Sequence, residues 1–74
     1  HLQIQVLEWK SQAFKNIEQA QYGDLEEAKK ALTNHILLYG GAFKAIRLVR
    51  MMYVEDVSRY HVTEIIKYWE NSGN

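Results

Sequence analysis

Three basic side chains recur at intervals of three residues in the second half of the chain. Lys44, Arg47 and Arg50 lie in a segment, residues 42–54, that contains no aspartate or glutamate. On a helix, this spacing turns the three side chains across about 120° of one face. A lysine or arginine placed in this way can neutralise a phosphate and release its condensed counterions. The segment therefore predicts contact with the phosphate backbone of DNA.

The same prediction extends toward the end of the chain. Arg59 and Lys67 add positive charge, while Tyr60 and His61 have rings that can stack on an unpaired base. Because Asn, Gln and Ser are missing from residues 42–54, backbone contact is favoured over reading of the base sequence. The net charge is zero, with nine basic and nine acidic side chains, so pairing within the protein is the alternative. Acidic residues available for such pairing are Glu26, Glu27, Glu55 and Asp56.

Catalytic and metal-binding chemistry has little support in the sequence. The chain has no cysteine, and its three histidines, His1, His35 and His61, are far apart and form no paired metal-binding motif. His61 and Glu64 would be one helical turn apart, which could orient the imidazole as a base, but a surface polar pair has the same spacing. We therefore expect a protein that is not an enzyme, with no catalytic residue, metal or cofactor.

Length and composition indicate a single small domain over residues 1–74. The chain is 47% hydrophobic and 12% aromatic, which is too apolar for a disordered segment. A domain of this size buries only about 60% of the surface of its unfolded chain, so a partner is expected to add stability. No apolar run approaches the roughly 18 residues of a membrane span, and the lack of cysteine fits a reducing compartment. We expect a cytoplasmic protein without membrane contact, and the initial His1 suggests a domain excised from, or a subunit of, something larger.

Apolar residues recur at helical rather than strand spacing throughout this proline-free chain. The pattern predicts four helices, over residues 2–22, 25–39, 42–54 and 59–70. Asp24 is predicted to cap the second helix, Gly40 and Gly41 to end it, and Ser58 to cap the fourth. The sequence leaves open whether the third and fourth helices are one bent rod. The predicted fold is an all-α, compact bundle of about four helices with a long first helix and a helix-turn-helix-like centre.

The apolar face of the long first helix predicts a second kind of function. Trp9, Phe14 and Ile17 would lie on this face and could anchor a partner. A module of this kind would be a dimerisation domain, a small inhibitor or an adaptor subunit. Homo-oligomerisation or binding of a protein partner is therefore the alternative to contact with DNA.

A motif near the C-terminal end combines Ile65, Trp69 and Gly73 in the segment HVTEIIKYWENSG. This spacing resembles the C-terminal motif of the DnaD-like replication-initiation domain, in which a tyrosine stands at the position of His61. The resemblance covers residues 37–73. It implies contact with single- or double-stranded DNA, self-association, and a role in replication initiation or helicase loading. Ile65 and Trp69 are the positions carried over from the family motif.

Overall fold

The computed structural model describes residues 1–72 and consists of one antiparallel sheet with one α-helix packed against it. Its elements in chain order are β1 (Leu2–Leu7), β2 (Lys15–Tyr22), α1 (Leu25–Tyr39), β3 (Ala45–Val54) and β4 (Arg59–Glu70). The strands lie in the order β2-β1-β3-β4, and every neighbouring pair is antiparallel. The protein therefore has an α+β fold.

The predicted all-α bundle is wrong, because three of its four helices are strands. Residues 2–22 form β1, a connection and β2 rather than one long helix. In β1, apolar residues alternate with glutamine (LQIQVL), and this period of two places Leu2, Ile4 and Val6 on one face. A helical stripe through residues 2–22 leaves Ile4 outside it, yet Ile4 is fully buried. The alternation over residues 2–7 therefore indicates the secondary structure better than the helical period over residues 2–22.

The predicted helix-turn-helix centre is also wrong, since residues 45–70 form the long β3–β4 hairpin. The bounds predicted for the fourth helix, 59–70, are those of β4, so the boundaries were right and the type of element was not. β4 is rich in β-branched and aromatic residues, which favour strands. Ser58 lies in the hairpin turn with a left-handed φ of 51° instead of capping a helix.

α1 confirms the helix predicted for residues 25–39. Oδ2 of Asp24 accepts a hydrogen bond from the backbone N–H of Glu27 at 2.9 Å, as expected for a capping residue. Gly40 ends the helix and begins a 3-10 turn, Gly40–Ala42. α1 is rich in good helix formers such as alanine, leucine, glutamate and lysine, so propensity and pattern agree here. Across residues 1–72, no helix is both long enough and apolar enough to cross a membrane.

The core lies between α1 and one face of the sheet. Ala28 and Leu32 are the buried residues of α1, and they pack against apolar side chains of β1 and β3. Ile66 and Trp69 of β4 pack against the margin of this core. The buried cluster consists of Leu2, Ile4, Val6, Ala20, Ala28, Leu32, Ile46 and Leu48. The opposite face of the sheet, which we call the helix-free face, is not covered by α1.

The β3–β4 hairpin extends beyond the rest of the sheet. β1 pairs with the part of β3 from Ala45 to Arg50, whereas β4 pairs with β3 as far as Val54. Residues 52–61 therefore project as a two-stranded ribbon, which we call the hairpin arm, and the molecule measures 42 × 28 × 19 Å. β4 lies at the edge of the sheet, with β3 as its neighbour on one side and no strand of residues 1–72 on the other.

Candidate interaction surface

A band of large side chains runs along the helix-free face of β4 and the hairpin arm. Strand alternation and the pairing of β3 with β4 place these side chains on the same face. The exposed fraction is 51–52% for Tyr60, Ile65 and Tyr68, and Val62 is 38% exposed. Tyr53, which lies opposite Tyr60, is 51% exposed. We call Tyr53, Tyr60, Val62, Ile65 and Tyr68 the apolar band.

The rings at one end of the apolar band contact one another. The centroids of Tyr53 and Tyr60 are 5.3 Å apart with the rings edge-on, and the imidazole of His1 meets Tyr60 in the same way at 4.9 Å. Edge-on geometry is one of the preferred arrangements of aromatic pairs. The contacts therefore hold these rings in place and present them as a preformed surface.

A polar network crosses the other end of the helix-free face. The amide nitrogen of Gln5 donates to Oδ1 of Asn16 at 2.8 Å, and its amide oxygen accepts from Nε of Arg47 at 2.8 Å. The guanidinium carbon of Arg47 lies 3.8 Å from the centroid of the Phe14 ring. Burial lowers the pKa of Arg47 from its ordinary value, while the nearby Tyr68 opposes this shift. The network ties β2, β1 and β3 together and fixes Arg47 within the face.

Tyr68 joins this network to β4. Its ring lies 6.2 Å from that of Phe14, and its hydroxyl donates a hydrogen bond to Oε2 of Glu70 at 3.2 Å. Desolvation raises the pKa of Tyr68 above its ordinary value, and the hydrogen bond to Glu70 and the charge of that carboxylate raise it further. The Tyr68 phenol is therefore harder to ionise than a free phenol, while its ring stays on the surface.

Charged residues along β4 alternate in sign. The order along the strand is Arg59, Glu64, Lys67 and Glu70, which reads plus, minus, plus, minus. Oε1 of Glu64 pairs with Nε of Arg50 on the neighbouring β3 at 3.1 Å. This contact anchors the carboxylate of Glu64 on the side of the sheet that faces α1.

The structure separates the cations that the sequence grouped into one basic helix face. Arg47 lies on the helix-free face, and Arg50 points to the opposite face of β3, where it pairs with Glu64. Lys44 precedes β3, outside any strand. The shared face is therefore lost, because a spacing of three puts neighbours on opposite sides of a strand.

The other residues predicted to contact nucleic acid lie on β4, and they are also divided. Tyr60 belongs to the apolar band on the helix-free face. Arg59, His61 and Lys67 lie on the face that carries α1, because their β3 partners Val54, Met52 and Leu48 are on that face. Tyr60 is therefore separated from Arg59 and Lys67, whereas His61 shares their face.

The residues predicted to bind a partner do not share a face either. Trp9 is 49% exposed in the connection between β1 and β2. Phe14 lies on the helix-free face beside Arg47, whereas Ile17 packs against the core on the side of α1. The three residues would share a face on the predicted first helix. They are separated because this segment forms two strands and a connection instead.

A cleft of about 610 Å³ lies between the second half of α1 and the start of β2. Apolar walls come from Val6, Ile17 and Phe43, with Tyr39 and His35 from the helix. Nδ1 of His35 donates to the carbonyl oxygen of Ala31 at 2.9 Å, which directs this nitrogen to the helix backbone. No cluster of three or more metal-binding side chains occurs in residues 1–72.

Sequence reasoning missed Gln5, Asn16, Val62 and Glu70 as parts of this surface. The alternation of glutamine with apolar residues in β1 was a signal for the polar network, because it predicts a strand with one polar face. The sequence around Val62 was a weaker signal of a strand, since a short run rich in β-branched residues also fits a buried helix.

No family model matches the chain, and neither a curated protein nor a solved structure matches it. The resemblance to the DnaD-like domain stays a prediction. Of the motif positions, Ile65 and Trp69 lie on β4, and Gly73 lies outside the described residues.

Proposed function

We propose that this chain is a non-enzymatic protein-interaction module that pairs with a second copy of itself through β4 and the apolar band. The observation that carries this proposal is that four residues of the band are about half exposed and the fifth, Val62, is 38% exposed. Contiguous exposed apolar surface on a small protein is typical of an interaction site. Tyrosine is also enriched at interfaces, because its ring is apolar and its hydroxyl tolerates water.

The amount of exposed surface supports the proposal. A compact monomer of 8.7 kDa exposes about 4700 Å² by the usual scaling with mass, whereas this molecule exposes 5303 Å². The excess is roughly 600 Å², so the molecule exposes more surface than a compact monomer of its mass. The projecting hairpin arm and the uncovered β4 account for an excess of this kind.

A second exposed apolar segment at the end of α1 is less suited to the same role. Leu37 and Leu38 are 77% and 72% exposed, and Tyr39 follows them. Consecutive residues of a helix point in different directions, so these three side chains cannot form one flat patch. Side chains of the apolar band, in contrast, lie on one face of a hairpin.

The distribution of charge favours a protein partner over DNA. Arg47 and Arg50 lie on opposite faces of the sheet, and the second is paired with Glu64. A protein that binds the phosphate backbone normally gathers its cations in one patch or stripe. Contact with DNA therefore stays a prediction from the sequence, and the apolar band carries the stronger argument.

Sedimentation and light scattering over a range of concentrations test the proposal. We expect a dimer that dissociates on dilution, and Ile65→Lys to weaken it at least about tenfold, or 1.4 kcal/mol, because it places a charge within the band. Leu37→Lys is the matched control, since it adds the same charge at an exposed leucine outside the band.

A monomer at all concentrations up to about 1 mM would overturn the proposal, since a weaker dimer than this has little meaning for a specific interface. Equal effects of Ile65→Lys and Leu37→Lys would do the same. Binding to a fluorescent single-stranded oligonucleotide at about 50 mM salt, abolished by Arg47→Ala with Arg50→Ala, would favour contact with DNA instead.

A further inference from the structure

We infer that two copies of this chain pair antiparallel along β4, with Ile65 of each copy at the two-fold axis, and form one continuous eight-stranded sheet. This inference rests on the proposed function and gives it a geometry. β4 provides the edge: it is 12 residues long, and its outer side has no strand of residues 1–72 beside it. An unpaired edge of this length is a template for another strand.

The order of charges along β4 selects the antiparallel arrangement. When the strand is reversed, the order plus, minus, plus, minus becomes minus, plus, minus, plus, so the two central charges, Glu64 and Lys67, can each meet an opposite charge. A parallel pairing in register would instead place like charges together, which is destabilising. Charges on an edge usually prevent association, and here they exclude one arrangement while allowing the other.

The register follows from the positions of Glu64 and Lys67. These residues pair with Arg50 and Leu48, two positions apart on β3, so both lie on the α1 side of the sheet and Ile65 lies between them, opposite Val49. Ile66 and Thr63 are extra residues of β4 at two register shifts beside Ile65, so positions are counted along β3. On that count Glu64 and Lys67 are each one position from Ile65, and centring the axis on Ile65 places Glu64 of each copy across from Lys67 of the other. Two ion pairs then flank the axis symmetrically, as a two-fold interface requires.

The same register brings apolar side chains together on the helix-free face. Counting along β3 from Val49, Val62 and Tyr68 are each two positions from the axis, in opposite directions. Val62 of one copy therefore lies opposite Tyr68 of the other, and the two copies of Ile65 meet at the centre. Aromatic and β-branched residues make favourable cross-strand pairs. The apolar band of each copy is thus complementary to itself.

The carboxylate of Glu64 can bind a second cation in addition to Arg50. Arg50 binds its Oε1 at 3.1 Å, while Oε2 has no partner among residues 1–72. The Glu64 side chain is 57% exposed, so Oε2 can accept from Nζ of Lys67 of the second copy. Arg50 acts as a positioning residue in this arrangement, because it limits the conformations of Glu64 before the copies meet.

Disulfide trapping tests the register, because the chain has no cysteine of its own. Tyr60 and Glu70 lie four positions either side of the axis when counted along β3, so they oppose each other across the interface. Tyr60→Cys mixed with Glu70→Cys should give a disulfide-linked pair under mild oxidation. Either variant alone should not, since its two copies are separated by eight positions, or about 27 Å. Thr33→Cys, on the exposed side of α1, is the control for random collision.

The outcomes separate this inference from the proposed function. A dimer by sedimentation without the mixed disulfide would overturn the β4 register and leave self-association standing. Disulfide formation by Tyr60→Cys alone would indicate a parallel arrangement and also overturn it. A monomer throughout would overturn both.

Exchange of charge supplies a second test by sedimentation and native electrophoresis. Lys67→Glu alone and Glu64→Lys alone should each weaken self-association about tenfold, because each places two like-charged pairs at the axis. Mixing the two variants should restore pairing between them, since every Glu then meets a Lys. Unchanged dimerisation of both single variants would overturn the inferred ion pairs, and urea unfolding checks that each variant is folded.

Discussion

The guanidinium of Arg47 on β3 lies 3.8 Å above the ring of Phe14, in the connection before β2. Nε of the same side chain donates to Gln5 at 2.8 Å, so the cation stacks and donates at once. Replacing Phe14 by leucine keeps an apolar side chain and removes the ring. We expect Phe14→Leu to lower the free energy of unfolding by about 0.5–1 kcal/mol through the lost cation–π contact.

Urea unfolding of Phe14→Leu, Arg47→Met and the double variant measures this contact as a coupling energy. These measurements are made with Ile65→Lys in every chain, so that self-association does not add to the stability. A coupling energy of zero would contradict the prediction. Phe14 was expected to bind a partner, and its contact with Arg47 gives it a structural role as well.

The sequence predicted α1 and the ends of several elements but not the type of the strands. In α1, the helix-forming residues, the Asp24 cap and the apolar spacing all indicate a helix. The helix could therefore be predicted without knowledge of its tertiary contacts. In β3 the apolar residues are nearly continuous, because Ala45, Ile46, Leu48 and Val49 are buried on both faces. A continuous apolar run has no diagnostic period, and its strand conformation depends on pairing with β1 and β4.

The candidate surface was less predictable than the fold, for a related reason. Its residues come together only through the register of distant strands, as in the contact between Gln5 and Arg47, which are 42 residues apart. A helical reading of residues 42–54 placed Arg47 and Arg50 on one face, whereas the strand turns them to opposite faces. The type of element therefore decides which charges can act together.

Gly40 should accommodate a side chain only at a cost in stability, because Trp69 lies against it. A Cβ at this position would be 3.0 Å from Cη2 of Trp69, and the indole ring is part of the margin of the core. We expect Gly40→Ala to destabilise the protein by about 1 kcal/mol through this overpacking, and to alter the fluorescence of Trp69. Gly41→Ala is the matched control, because a Cβ there meets nothing within 4 Å. Equal unfolding midpoints for the two variants in urea would contradict the prediction.

Asp24 should stabilise α1 through its side chain. Oδ2 accepts from the N–H of Glu27 at 2.9 Å, which satisfies one of the unpaired donors at the start of the helix. Asp24→Ala should therefore lower the free energy of unfolding by about 1 kcal/mol, whereas Asp24→Asn, which keeps an oxygen acceptor, should cost much less. Thermal unfolding followed by circular dichroism at 222 nm measures both. A loss as large for asparagine as for alanine would show that the hydrogen bond is not the cause.

The ionisation of Tyr68 should depend on Glu70. Desolvation raises the pKa of the Tyr68 phenol, and the hydrogen bond to the Glu70 carboxylate and its negative charge raise it further. Glu70→Gln should therefore lower the pKa of Tyr68 toward its ordinary value of 10.0. Because the pKa is raised in the folded state, the stability linked to this group is present at pH values below 10.0 and is lost as the pH rises through the folded pKa. Ultraviolet titration of phenolate measures the pKa of Tyr68, and the difference between the titration curves with and without Tyr68→Phe isolates this one of the five tyrosines. An unchanged titration curve in Glu70→Gln would contradict the prediction and assign the raised pKa to desolvation alone.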